Sequence, residues 1–259
     1  MTREHTVTSY DDDLNQLREM IARMAGLAES QIAAGIEALN KRNLEAARKV
    51  VAGDAEIDLL EHEIEKAAIT MLALRAPVAD DLREVVAVLK FTSELERIGD
   101  YAKNIAKRVP AISASFAGAS GGHSFIASRA LPEMAGIVRK MLKDVIDAYI
   151  DRDSARAIDV WERDEAVDDL NNSLFRELLT YMMEDPRAIT SCTHLLFISK
   201  NIERMGDHIT NIAENVYYLT EGEMLEQKRP KSDRTSMMTP CLPDTPKPDT
   251  PKPDTPEAS

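Results

Sequence analysis

The chain has 259 residues, a formal net charge of −13, 5% aromatics and ten glycines. That acidic balance excludes sequence-independent nucleic-acid binding, which needs a basic stripe, and adsorption to an anionic membrane by charge alone. No run of 18 uninterrupted apolar residues is present, so no bilayer-spanning helix is expected.

No N-terminal apolar run follows a basic stretch, so no signal peptide is expected either. Abundant Ala, Leu, Ile, Glu, Asp, Arg and Lys is the makeup of an all-α protein. The two cysteines stand in different settings, Cys192 in a helical pattern and Cys241 in a Pro-rich tail, so no disulfide framework is expected and a reducing cytoplasm fits. Ser9 and Asp12 have the spacing of a capping box, and Leu14, Leu17, Ile21, Met24 and Ala28 follow at heptad spacing. The pattern predicts a first helix ending near Lys41 and Arg42, cations at the negative end of the helix dipole. Asn43 caps a second helix with Val50, Ile57, Leu60, Ile64, Ala67 and Met71 inward, ending before Pro77. A third helix is predicted from Asp80 to Arg108, with Phe91, Leu95, Ile98, Ala102 and Ile105 as its inner stripe. Three long helices on short connections make an antiparallel three-helix bundle over residues 8–109.

Residues 110–127 lose the periodicity and are rich in Gly, Ser and Ala, as a linker is. The same plan then repeats over 128–222. One helix spans Ser128 to Asp151, and Asp153 or Ser154 caps the next. Asp185 caps the last helix with Pro186 in its first turn. From residue 223 the composition shifts, and Pro-Asp-Thr-Pro-Lys repeats predict a disordered tail.

The duplication is written in one stretch. Glu96-Arg-Ile-Gly-Asp-Tyr-Ala-Lys-Asn-Ile-Ala106 recurs as Glu203-Arg-Met-Gly-Asp-His-Ile-Thr-Asn-Ile-Ala213, with seven of eleven positions identical at an offset of 107. Asp54 and Asp58 match Asp164 and Asp168 at an offset of 110, so the turn between the second and third helices is shorter in the second copy. Each copy thus has two acid pairs at i, i+4, on one helix face apiece: Asp54 with Asp58 and Glu96 with Asp100, then Asp164 with Asp168 and Glu203 with Asp207. Angular position puts Asp54 and Asp58 roughly 60–100° from Ile57, on the flank of the core face, and Glu96 and Asp100 roughly 160° from the inner stripe, with Glu203 and Asp207 likewise expected on an outer face. Packed antiparallel, the pairs of one copy present four carboxylates to one volume, an oxygen-rich set suited to Mg, Mn, Fe or Zn. Solvated acids paired with Arg or Lys are the ordinary alternative for any single pair. Gly99 and Gly206 each cost about 1 kcal/mol in a helix interior, which points to the close approach of another helix or a ligand. His208, beside Asp207, is a candidate additional ligand, and Asn104 and Asn211 are candidates for a supporting contact. No phosphate-cradling glycine loop, nucleophile elbow, Glu-x-x-His or His-Glu-x-x-His is present.

Two three-helix repeats, each with acid-x-x-x-Asp pairs on the second and third helices and a Glu-Arg-(Ile/Met)-Gly-Asp run on the third, resemble the PhoU family of phosphate-transport accessory and signalling regulators. The resemblance covers about residues 8–222. It implies a cytoplasmic, often dimeric negative regulator of the phosphate-starvation response, without enzymatic activity. Such a protein acts between the ATPase subunit of the phosphate ABC transporter and a membrane sensor histidine kinase. It also implies divalent or multinuclear metal held by the acid motifs, here Asp54, Asp58, Glu96, Asp100, Asp164, Asp168, Glu203 and Asp207. The alternatives are a carboxylate-bridged divalent-metal protein with an enzymatic or storage role, and a purely structural helical spacer.

Overall fold

The computed structural model describes residues 2–116 and 127–226, and six long helices carry it. These are α1 (Thr2–Lys41), α2 (Leu44–Arg75), α3 (Asp80–Phe116), α4 (Ala127–Asp151), α5 (Ser154–Glu184) and α6 (Ile189–Glu221). The starts of α2 and α5 follow from side-chain caps. The Asn43 side chain accepts from the backbone N–H groups of Glu45 and Ala46, and Asp153 accepts from that of Arg156, satisfying donors that the first helical turn leaves open. Gly222 closes α6 at φ 77°, a left-handed cap that glycine adopts without strain.

Helices α1–α3 form one bundle and α4–α6 the other. The predicted inner stripe of α3, Phe91, Leu95, Ile98, Ala102 and Ile105, is buried, and so are Ile198, Ile202, Met205, Ile209, Ile212 and Val216 of α6. Burial of each large apolar side chain contributes about 1.5–3 kcal/mol. The bundles lie side by side, with α3 against α6 and α1 against α4. Lys90 meets Asn215, Glu94 meets Asn211 and Arg108 meets His194, so the partner's number falls as α3 advances and the two helices run antiparallel. Phe91 of α3 packs edge-on to Tyr149 of α4, with ring centroids 5.0 Å apart, tying one bundle to the other.

Three boundaries differ from their sequence signals. Helix α1 begins at Thr2, so Ser9 and Asp12 lie inside it rather than capping it. Nothing between Thr2 and Ser9 is a helix breaker, and isolated polar residues are tolerated in a helix anchored by a long apolar stripe. Helix α3 passes Arg108 and runs through Pro110 to Phe116, seven residues into the stretch assigned to the linker. Pro110 lacks the N–H that would bond the Ala106 carbonyl, but the burial of Val109 and Ile112 holds the helix through it. Asp185 caps a short 3₁₀ turn, Pro186–Ala188, before α6 starts. The expected shortening of the second turn is corrected: four residues, 76–79, separate α2 from α3, and four, 185–188, separate α5 from α6, so the drop in offset from 110 to 107 is taken up in the lengths of the helices. The rest of the linker (117–126) and the Pro-rich tail from 227 lie outside the described residues.

Candidate metal centre

In the first copy α2 and α3 touch at Gly99. A methyl group there would lie 2.8 Å from Ile57 Cδ1 and 3.9 Å from Asp54 Oδ1, so the absent side chain is what lets the helices approach. That approach buries Asp54, of which 3% stays exposed. Its carboxylate accepts a hydrogen bond from the Lys103 ammonium of α3, which also donates to Asp100 Oδ1 at 3.1 Å. Lys103 is thus a cation held between an acid of α2 and an acid of α3. The bond to Asp54 is the largest influence holding the lysine's pKa above its ordinary value.

One turn back, Glu96 keeps 20% of its side chain exposed and lies near Asp100 and Glu61. Desolvation, then repulsion from Asp100 and Glu61, pushes its pKa up to about 7. Glu61 is shifted the same way, by desolvation first and then by Glu65. Arg97, whose Nε is 3.6 Å from Glu96 Oε2, is largely exposed and offsets little of this. Asp58 is half-buried on the adjoining turn of α2.

The second copy repeats the crossing more tightly. A methyl at Gly206 would lie 2.4 Å from Asp164 Oδ1, so the buried carboxylate of α5 rests directly on the glycine of α6. Asp164, Asp168 and Glu203 are 1%, 2% and 4% exposed, and Asp207 is half-buried. Lys200 Nζ reaches Glu203 Oε2 at 2.8 Å. Thr210 occupies the position that corresponds to Lys103 at the offset of 107, and its hydroxyl donates to the Asp207 carbonyl.

The expectation that the acids of the third helices lie on outer faces is therefore corrected, and the flank position expected for Asp54 turns out to be fully covered. Asp54, Asp164, Asp168 and Glu203 are buried, and Glu96 and Asp100 are covered in part. A single-helix wheel measures direction from one stripe, whereas a second helix crossing at a glycine covers the flank of that stripe as well. The structure brings Asp54 and Asp100 together on one lysine and sets Glu96 beside Asp100. Among the described residues, no group of three or more His, Cys, Asp or Glu side chains is placed to hold a metal ion as the side chains stand. In the first copy this has a visible cause, since an ammonium already occupies the space between Asp54 and Asp100.

Histidine 208 turns away from the acids of its own copy. Its ring faces Glu94 and the Tyr101 hydroxyl across the α3–α6 interface, and Asn211 donates to Glu94 as well. Two participants were missed in the sequence. Lys103 stands three residues after Asp100 on the same face, a spacing that was legible. Glu84, fully buried, receives a two-pronged contact from Arg18 at 2.5 and 2.8 Å and bonds from Arg152 and, at 3.4 Å, the Tyr149 hydroxyl. No local pattern announces it, because its partners come from α1 and the end of α4.

A family model described as PhoU domain matches residues 21–109 and again residues 131–216, one match per bundle. A phosphate-specific transport system accessory protein PhoU homolog of Caulobacter vibrioides is 50% identical over 230 residues, covering 89% of this chain and 97% of the relative. A protein of the same description from Rhizobium meliloti is 44% identical over 238 residues, 92% of this chain and 98% of that one. Among solved structures, PhoU from Pseudomonas aeruginosa superposes with a TM-score of 0.76 at 34% identity, covering 83% of this chain and all of that one. The phosphate transport system regulatory protein PhoU from Streptococcus pneumoniae superposes with a TM-score of 0.74 at 28% identity, covering 84% of this chain and all of that one.

Proposed function

The chain belongs to the PhoU family, and from that premise we propose that it is a non-enzymatic regulator of phosphate uptake and a negative regulator of the phosphate-starvation response. It acts in the cytoplasm as a homodimeric adaptor between the ATPase subunit of a phosphate ABC transporter and a sensor histidine kinase. The observation that carries the reading is the 50% identity to a phosphate-specific transport system accessory protein over 97% of that protein's length. No described helix is long and apolar enough to cross a membrane. In this reading the chain meets the transporter and the kinase at their cytoplasmic parts. The net charge of −13 favours basic partner surfaces and speeds encounter with them.

The reading extends to a divalent cation at the acid motifs, for which Asp54, Asp58, Glu96, Asp100, Asp164, Asp168, Glu203 and Asp207 are the candidates. Carboxylate oxygen without thiolate suits Mg, Mn, Fe or Zn, and a bound ion would supply positive charge to carboxylates that the fold has taken out of water.

Deleting the gene from its host, with a phosphate-starvation reporter read in phosphate-rich medium, tests the regulatory role. Release of the reporter is expected, and unchanged output removes the reading. Pull-down with the transporter ATPase and the kinase is expected to recover both, and recovery of neither leaves a helical spacer.

A further inference from the structure

We propose that a segment of the C-terminal tail, residues 228–242, seats itself on its own chain, in the groove between the start of α3 and the end of α6. The inference stands on that groove and on the sequence of the tail, and it does not rest on the regulatory or metal readings above.

The groove lies where the described chain ends. Gly222 closes α6 against α3, and a methyl group there would lie 2.9 Å from Arg83 Nη1. Met224 and Leu225 follow, and with Lys90, Glu214, Asn215 and Tyr218 they line a groove of about 290 Å³. Val86 and Leu82 precede Lys90 on α3 at successive i, i+4 steps, which carries the groove's wall on along the helix. Each of the two keeps 41% of its surface open, and Met224 keeps 76%. Large apolar side chains left open along one groove mark an interaction site. The second copy differs at the matching place. Thr193 stands there for Val86, and Phe197, the counterpart of Lys90, has the Arg108 guanidinium 4.3 Å from its ring centroid.

The tail has the chemistry of an occupant. It lies outside the shared fold, since the second family-domain match ends at residue 216. In a chain of net charge −13 it opens with four cations, Lys228, Arg229, Lys231 and Arg234, against one acid, Asp233. Met237, Met238 and Leu242 come next, and no large apolar residue follows them. The rim of the groove is acidic: Glu214 lines it, Glu221 and Glu223 are exposed at the end of α6, and Asp81 is exposed at the start of α3. Arg83 beside them is engaged by Asp80. Opposite charge brings the basic stretch to that rim and fixes its register. Methionine, unbranched and polarisable, suits an irregular apolar seat such as Val86 and Leu82 provide. Reach is ample. The eleven residues from Glu226 to Met237 can span about 36 Å, whereas Leu82 lies about 12 Å of helix from Lys90. A segment tethered so closely meets its seat at an effective concentration on the order of millimolar, so a modest contact suffices. With the tail seated, the groove is closed to other apolar ligands.

Cys241 lies inside the proposed segment and supplies the probe. Full-length protein is labelled there with benzophenone maleimide under native conditions, in which Cys192 is buried, then irradiated and mapped by peptide mass. Adducts are expected within one chain and concentrated on residues 82–90 and 214–225. Met237→Ser with Met238→Ser alters only the tail and is expected to cut those adducts at least about fivefold. Raising salt from about 0.05 to about 0.5 M is expected to cut them at least about twofold, because exposed charges are then screened. Adducts spread evenly over the surface, or absent, overturn the inference. Adducts that join two chains overturn it in favour of a second copy as the occupant. Adducts at the groove that persist unchanged in the methionine variant or at high salt overturn it as well, since neither the apolar nor the charged contact would then hold the tail.

Discussion

Glu96 shows at the scale of one residue how the fold bears on charge. Its carboxyl titrates near 7 because burial and the neighbouring Asp100 and Glu61 disfavour the anion. In the unfolded chain the same group titrates near its ordinary value of 4.5. The folded state therefore binds the proton more tightly than the unfolded one. The stability this contributes is fully present below about pH 4.5 and is lost as pH rises through about 7. A side chain still partly in water feels less than the full effect. Glu96→Gln removes the charge and keeps the shape, so it is expected to raise the melting temperature of metal-free protein at pH 8 by roughly 2 °C, with the gain fading as pH falls to 4.5. Melts at the two pH values check it. A gain of equal size at both would mean that charge is not the cause.

At the scale of helices, the two glycine crossings look alike in sequence and differ in what they touch. Alanine is the better helix former by about 1 kcal/mol. At Gly99 the added methyl meets Ile57 Cδ1, the end of a branched chain that can rotate aside, so Gly99→Ala is expected to stay within about 1 kcal/mol of wild type. At Gly206 the methyl meets the Asp164 carboxylate, short, stiff and almost wholly buried, which has nowhere to go. Gly206→Ala is expected to cost about 1–3 kcal/mol in urea denaturation. The reverse order of midpoints would show that Asp164 is not held against that glycine. The glycines were legible as points of close approach, and so were the six helices and their inner stripes, since a 3.6-residue period reports burial directly. Helix ends at Thr2 and Phe116 were not legible, because tertiary packing carries a helix past local stop signals. Nor was the burial of Asp54 and Glu203, since the face a helix covers depends on how its neighbour crosses it. The bridge from Lys103 to Asp54 joins residues 49 positions apart, beyond the reach of any helical period.

For the whole molecule the question is whether two family domains make two folding units or one. Each bundle has its own apolar stripe, yet several groups are complete only when the bundles meet. Glu84 is fully buried and depends on Arg18 from its own bundle and on Arg152 and Tyr149 from the other. Removing half of that arrangement leaves a carboxylate short of partners in a dry place, at a cost of a few kcal/mol. Phe91 loses the ring of Tyr149, and Arg108, stacked 4.3 Å from the Phe197 ring centroid, loses its face. Glu94 loses both His208 and Asn211. These losses fall along α1 and α3, the two helices of the first bundle that face the second, while α2 stays covered as before. The full chain is therefore expected to melt in one cooperative transition. Fragments 1–116 and 127–226 made separately are expected to melt at least about 10 °C lower and to regain the native transition when mixed in equal amounts. Circular dichroism melts, with size-exclusion chromatography for the complex, measure both. Monomeric fragments that melt where the full chain does would make the halves independent domains joined only by the linker, and coupling through Glu84 would then be wrong.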